Sequence, residues 1–166
     1  MTKLALDNRR GSVFTLDLNI IEEGLKISRN NDRKRIILPI HREQGSRVQR
    51  MLNFLQPGTY IRPHKHPLKH ASESILVLQG AIRFFTFNGS GTIQDDYRLS
   101  NNIPDCVIDI EPGVWHTFVV LQRDTVIFES KRGPYNVLTD KEFAHWSPEE
   151  GSPESRIFME KLYNFE

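Results

Sequence analysis

GTYIRPHKHPLKHASESILVLQG, residues 58–80, carries two histidines one residue apart, His64 and His66, and then Glu73, between the turn glycines Gly58 and Gly80. Alternate residues of a strand face the same side. His64 and His66 are therefore expected to point together into the inside of a barrel. A third histidine, His116, follows in the run Pro112-Gly113-Val114-Trp115-His116. Three imidazoles and one carboxylate suit one divalent ion such as Fe, Mn, Ni or Zn, and they leave coordination positions open. Open positions predict a reactive or ligand-binding metal. A structural metal would be closed by four ligands at tetrahedral spacing.

The carboxylate has a rival. His70 lies closer to His66 than Glu73 does, and an extra imidazole would also ligate. Glu73 is preferred on register. Extra residues collect in the loop between strands, which Pro67 favours, and Glu73 shares parity with Ile75 and Val77. A carboxylate on that apolar face needs a metal or cation partner. Tyr60 and Arg62 share parity with the histidine pair and are expected in the same cavity. There Tyr60 could move a proton as the catalytic group, and Arg62 could grip a carboxylate or phosphate of the substrate. A bulge after Gly58 would turn both outward.

Other residues take ordinary roles. Lys65 and Trp115 fall on the opposite parity, while Phe118 and Val120 share that of His116 and read as apolar wall. Phe84, Phe85 and Phe87 read as core, and His41 and His145 as surface or structural residues. Glu129 and Lys131 sit in a strand whose charges are expected to face solvent, so they stay outside the site.

Outward from this stretch the period is two. KRIILPIH, RVQRMLNFLQ, TYIRPHKH, SESILVLQG, AIRFFTFNG, YRLS, CVIDIEP, WHTFVVLQ and DTVIFESK are short runs rich in Ile, Val, Phe and Leu. Turn residues divide them, among them Pro57-Gly58, Gly80, Asn88-Gly89 and Pro112-Gly113. Such spacing predicts an all-β sandwich or barrel, not βαβ units. Leu52 to Leu55 alone also fits a helix. Leu18, Ile21 and Leu25 predict an amphipathic helix over 17–29 capped by Asp17, with Gly24 against it. Ser152-Pro153 and the pair Phe158 and Leu162 predict a second helix over 153–163, and Ser147-Pro148-Glu149-Glu150 has capping-box spacing. The expected organisation is an N-terminal extension at 1–33, a β-barrel at 34–132, and a C-terminal tail with its helix at 133–166, packed on the same domain.

At 166 residues the chain is long enough to bury one sizeable core. It has no apolar run of transmembrane length and no signal-peptide pattern, so no membrane partner is expected. Its single cysteine, Cys106, reads as a small core residue and fits a reducing cytoplasm. The net charge of +1 hides an asymmetry. Residues 33–69 hold nine Lys or Arg against one acid, Glu43, while residues 133–166 hold seven acids against three bases. The simpler reading is that the acidic tail packs against the basic segment. The sharper one is that the basic segment attracts an anionic ligand. Nucleic acid is not expected, because the bases are not interleaved with aromatics and the chain is nearly neutral.

The spacing of Gly58, His64, His66, Glu73 and Gly80 resembles the first motif of the cupin superfamily, except that six residues rather than three or four separate His66 from Glu73. Gly113 and His116 match the second motif. Glu111 replaces its proline and Val120 its asparagine, positions that shape the turn and do not bind metal. The stretches VQRMLNFLQPGTYIRPHKHP, ESILVLQG, PGVWHTFVVL and KRGPYNVLTDKEFAHWSPEEGSPE are more closely similar to the WbuC family of cupin-fold metalloproteins, over nearly all of residues 48–155. The resemblance implies a jelly-roll barrel and a metal at His64, His66, Glu73 and His116.

Two functions follow. One is a metal-dependent enzyme of isomerase, epimerase or oxygenase type, acting on a small, sugar-related or anionic molecule. The other is a non-catalytic module that binds or senses such a molecule at the metal. A second titratable group with a displaced pKa in the pocket would favour the enzyme. The open sheet edges make a homodimer the expected assembly.

Overall fold

The computed structural model of the chain describes residues 3–166. Helix α1 (Leu18–Asn30) precedes β1 (Arg35–Pro39), β2 (Val48–Leu55), β3 (His64–Lys65), β4 (Glu73–Gln79) and β5 (Ala81–Phe87). Then come β6 (Ile93–Ser100), β7 (Val107–Ile110), β8 (Trp115–Val120), β9 (Thr125–Arg132), β10 (Glu142–Phe143) and α2 (Pro153–Tyr163). The strands pair antiparallel in two five-stranded sheets, β1-β2-β9-β4-β7 and β10-β3-β8-β5-β6. This is a jelly-roll β-sandwich with one helix on each outer face.

Each helix covers a sheet. The α1 side chains Ile20, Ile21 and Leu25 pack on Ile36, Leu38, Leu52, Phe54 and Val126 of the first sheet. Asp17 caps α1 by accepting from the Ile20 N–H at 2.9 Å. Gly24 weakens the helix intrinsically, yet it lets α1 lie close on the sheet, since a Cβ there would sit 2.5 Å from the Phe54 ring. On the second sheet, α2 brings Phe158 and Leu162 against Phe85, Phe87 and Val119. Ser152 accepts from the Ser155 N–H at the start of α2, and Pro153 occupies the first turn. With both faces of each sheet covered, alternate residues of one strand serve two different cores. That is why Phe84 and Phe85 are both fully buried.

Between the sheets, Leu55, Ile75, Val77, Ile82, Phe84, Phe118, Val120 and Ile127 form the inner core. The core fills one end of the sandwich only. The same inward face continues along β2 from Leu55 to Asn53, Met51 and Gln49, and along β9 from Ile127 to Glu129 and Lys131. Along β4 it runs from Val77 and Ile75 to Glu73, and along β8 from Val120 and Phe118 to His116. Each strand thus passes from apolar to polar on one face.

Several expectations change. Within TYIRPHKH only His64–Lys65 is strand, and Leu52–Leu55 is strand, not helix. The Ser147 capping box starts no helix. Its Glu150 is drawn to Arg33 at 2.8 Å and Arg35 at 2.7 Å, and the Pro148 carbonyl accepts from the Tyr60 hydroxyl. Cys106 is only half-buried, at the entry to the edge strand β7.

Candidate metal centre

β3 and β8 pair with His64 opposite His116, and β4 delivers Glu73 from the facing sheet. The turn before β8 ties in the third histidine: the Gly113 N–H donates to the His66 carbonyl at 2.9 Å. His64, His66, Glu73 and His116 are all buried, and one donor atom from each lies within 4.8 Å of the others. His70, by contrast, is exposed in the loop between β3 and β4.

The three imidazoles are oriented by the backbone. Nδ1 of His64 contacts the Arg62 carbonyl at 2.9 Å, Nδ1 of His66 the Asp140 carbonyl at 2.5 Å, and Nδ1 of His116 the Val114 carbonyl at 2.9 Å. A carbonyl accepts only, so each Nδ1 carries the proton and each Nε2 is left with its lone pair. Among the described residues none of these buried Nε2 atoms has a hydrogen-bond partner. Glu73 Oε2 nevertheless lies 3.2 Å from Nε2 of His116 and 3.4 Å from Nε2 of His66. A lone pair and a carboxylate at that range repel unless a proton or a cation sits between them. The donor set fits a divalent ion.

The electrostatics agree. Burial holds the His64 imidazole well below its ordinary range, helped by the charge of Lys141, so His64 is neutral as a ligand must be. Burial would push the Glu73 carboxyl up, but the contacts to His116 and His66, which favour a carboxylate only with a proton or cation between, outweigh it and hold the group well below its ordinary range. Glu129 goes the other way. Burial and the neighbouring Glu73 carboxylate push it up to about 8. Lys131 is opposite Glu73 in the register and binds Asp140 at 2.7 Å. Burial would lower it, but Glu129, Glu73 and Asp140 raise it.

Beside the cluster lies a cavity of about 440 Å³. Its floor is the polar inward face of β1, β2 and β9, including Gln49, Asn53, Glu129 and Lys131, and residues 135–143 form its roof. Asn53 Nδ2 donates to Glu129 at 3.1 Å, and Phe143 of the roof stands with its ring centroid 6.3 Å from that of His64. A cleft of about 180 Å³ reaches His66 from the other side, past Lys131 and Asp140.

Tyr60 and Arg62 do not line this cavity. The Tyr60 hydroxyl donates to the Pro148 carbonyl at 2.8 Å, and burial pushes its pKa up to about 12. Arg62 donates to Ser147 Oγ at 3.1 Å and lies 5.2 Å over the Phe143 ring. Ile61 lines the cavity instead. The alternation slips at Pro63, ahead of a strand that begins only at His64. The expected face is thus the wrong one for Tyr60 and Arg62. Lys65 does face outward, 4.4 Å above the Trp115 ring. The basic segment and the acidic tail meet as the simpler reading had it, through Arg33, Arg35, Lys65 and their partners Glu150 and Glu142.

Sequence reasoning missed Glu129, Lys131, Asp140 and Lys141. For the first two the signal was present, since both share parity with Ile127, a core residue. Lys141 and Asp140 lie in the roof, where no period exists to read. His41, expected as a surface or structural residue, is buried at the cavity wall, with Nδ1 on the Arg50 backbone.

The fold is that of the cupins. CapF, a capsular polysaccharide assembling protein from Staphylococcus aureus, superposes with a TM-score of 0.50 at 21% identity, over 59% of this chain and 26% of that one. An oxalate decarboxylase from Lactobacillus farciminis in a formate complex gives 0.46 at 16% identity, over 59% of this chain and 27% of that one. An oxalate oxidase in complex with glycolate gives 0.46 at 16% identity, over 58% and 46%. The chain thus spans from about a quarter to half of the length of these structures, and at such identities the likeness is one of fold. No curated protein matches the sequence. Among the described residues no helix is long and apolar enough to cross a membrane. Residues 16–99, half of the chain, match the family described as a domain of unknown function (DUF6016), and the chain belongs to that family.

Proposed function

We propose that this chain is a metal-dependent enzyme of the WbuC type, with one divalent ion at His64, His66, Glu73 and His116 and a small molecule in the adjoining cavity. The observation that carries the reading is the set of three buried Nε2 atoms, each without a protein partner, gathered around one ionised carboxylate. When bound, the ion would supply Lewis acidity towards a carbonyl or enediol, or oxygen chemistry if it is iron.

The chain's own groups carry the rest. Glu129 is the cavity carboxyl that adjoins Glu73 and accepts from Asn53, and is the group suited to hold or move a proton. It takes the role that parity suggested for Tyr60, whose hydroxyl is engaged and too weak an acid. Lys131, fixed by Asp140, keeps a positive charge beside both carboxyls. Phe143 brings the 135–143 roof beside His64. Isomerisation or epimerisation of a sugar-related acid, or its oxygenation, fits these groups. A storage or sensing module would need no second titratable carboxyl, and the presence of Glu129 supports the enzyme over it. Cytoplasmic residence and a homodimer accompany the reading, supported by the single thiol and by the exposed β7 edge at Val107.

The test is elemental analysis of untagged protein purified without chelator, in air and anaerobically. Near-stoichiometric iron that is labile in air would direct the search to oxygen chemistry. Zinc, nickel or manganese would direct it to Lewis-acid chemistry. Absence of metal under both conditions would end the enzyme reading.

A further inference from the structure

Every charged group around the cavity except one is answered by protein. Arg33 and Arg35 share Glu150, Lys131 holds Asp140, and Glu129 accepts from Asn53. The exception is Lys141. It lines the cavity from the roof, and among the described residues its ammonium makes no hydrogen bond and no ion pair within 4 Å. It directly follows Asp140, whose carbonyl accepts from His66 Nδ1 at 2.5 Å, which sets it beside the cluster. Burial and the nearby Lys131 push its pKa down, against Glu129, Glu73 and Asp140, which raise it. A divalent ion on Glu73 would offset these carboxylates and leave room for a further anion beside Lys131 and Lys141. The half-buried Lys141 ammonium is therefore open to a partner that enters from the cavity.

We propose that Lys141 is the anchor for an anionic group of the ligand, a carboxylate or a phosphate, held between the roof and the metal centre. The inference rests on the proposed function of this cavity and narrows its substrate to an acid. The anion would place the ligand under residues 135–143 with its remaining length along the polar row Gln49, Asn53 and Glu129. Lys141 is thus a specificity residue.

The test is calorimetric titration of the full chain, metal-loaded and metal-stripped, with gluconate as the carboxylate probe and inorganic phosphate as the other. One of the two should bind the wild type. Lys141→Met should weaken that anion about tenfold or more in both forms, the loss expected of one charge-assisted contact. Lys141→Arg should stay within about threefold, and Lys161→Met, on the exposed side of α2, should match the wild type. Equal affinity in wild type and Lys141→Met, or no binding of either anion in either form, would overturn the proposal. Metal content in the same preparations judges the enzyme reading separately. A wild type that holds no metal yet binds the anion through Lys141 would sink the function and leave the anchor standing. Should Lys141→Met not fold, the wild type decides: the Lys141 Cε NMR signal must move on saturation with the anion, and an unmoved signal overturns the anchor.

Discussion

Towards Gly80, the inward face of β4 carries Ile75 and Val77, each 2% exposed and packed on Phe84 and Ile127. Towards His66, the same face of the same strand carries Glu73, just as buried at 4% and surrounded by imidazoles. The strand and the burial are alike and the chemistry is opposite. At the apolar end each side chain gains dispersion and loses hydration, so removing one costs stability. At the polar end three Nε2 lone pairs and a carboxylate converge on a place for an ion, so removing one damages chiefly what the site holds. Stability and function are divided along the length of single strands.

The comparison breaks most easily at Phe84, fully buried at the boundary and stacked 5.5 Å from the His116 ring. Phe84→Ala should lose about 3–5 kcal/mol in chemical denaturation, and a loss below about 1 kcal/mol would mean that the apolar end does not carry the fold. Glu73→Gln should do the reverse. It should weaken metal binding at least about tenfold while costing the metal-stripped protein clearly less stability than Phe84→Ala does, since the amide keeps the shape of the carboxyl. A Glu73→Gln protein that unfolds readily without metal would erase the distinction between the two ends.

A smaller effect is expected at the cavity rim, in acid. Burial would raise the Glu150 carboxyl, but Arg33 and Arg35 hold it below its ordinary value. A carboxyl lowered in the folded state adds stability that is complete above its unfolded pKa of about 4.5 and is lost as pH falls through the lower folded value. Urea midpoints should therefore drop from pH 7 to pH 3 by less in Glu150→Gln than in the wild type. The discount for exposure keeps this difference under about 1 kcal/mol. An equal drop in both would show that the carboxyl is not held low. The smallest effect belongs to His70→Gln, which should change neither stability nor metal content. A loss of metal there would restore His70 as the ligand in place of Glu73.

Much of this division was legible in the chain. Alternation in SESILVLQG put Glu73 on the face of Ile75 and Val77, and turn residues marked the strand breaks. Capping signals put helices at 17–29 and 153–163, where Leu18–Asn30 and Pro153–Tyr163 are found. These are local regularities, fixed by backbone period and caps. What escaped depends on contacts distant in sequence. Lys131 is interior because β9 pairs beside Glu73, and strand charges read alone look solvated. Tyr60 and Arg62 turned away because alternation fails at Pro63, before β3 starts. β10, two residues with both side chains exposed, has no apolar pattern and exists because β3 offers it a paired edge. Lys141 has no period at all, being in the roof that the cavity itself defines.

The central claim, that His64, His66, Glu73 and His116 hold one ion on a preformed sandwich, is tested most directly by titrating metal-stripped protein with Co(II). Its visible absorption should saturate at one equivalent in the wild type. The double variant His64→Ala/His116→Ala should keep the circular dichroism of a folded sandwich and develop no such absorption. An absorption that still saturates at one equivalent in that variant would contradict the account.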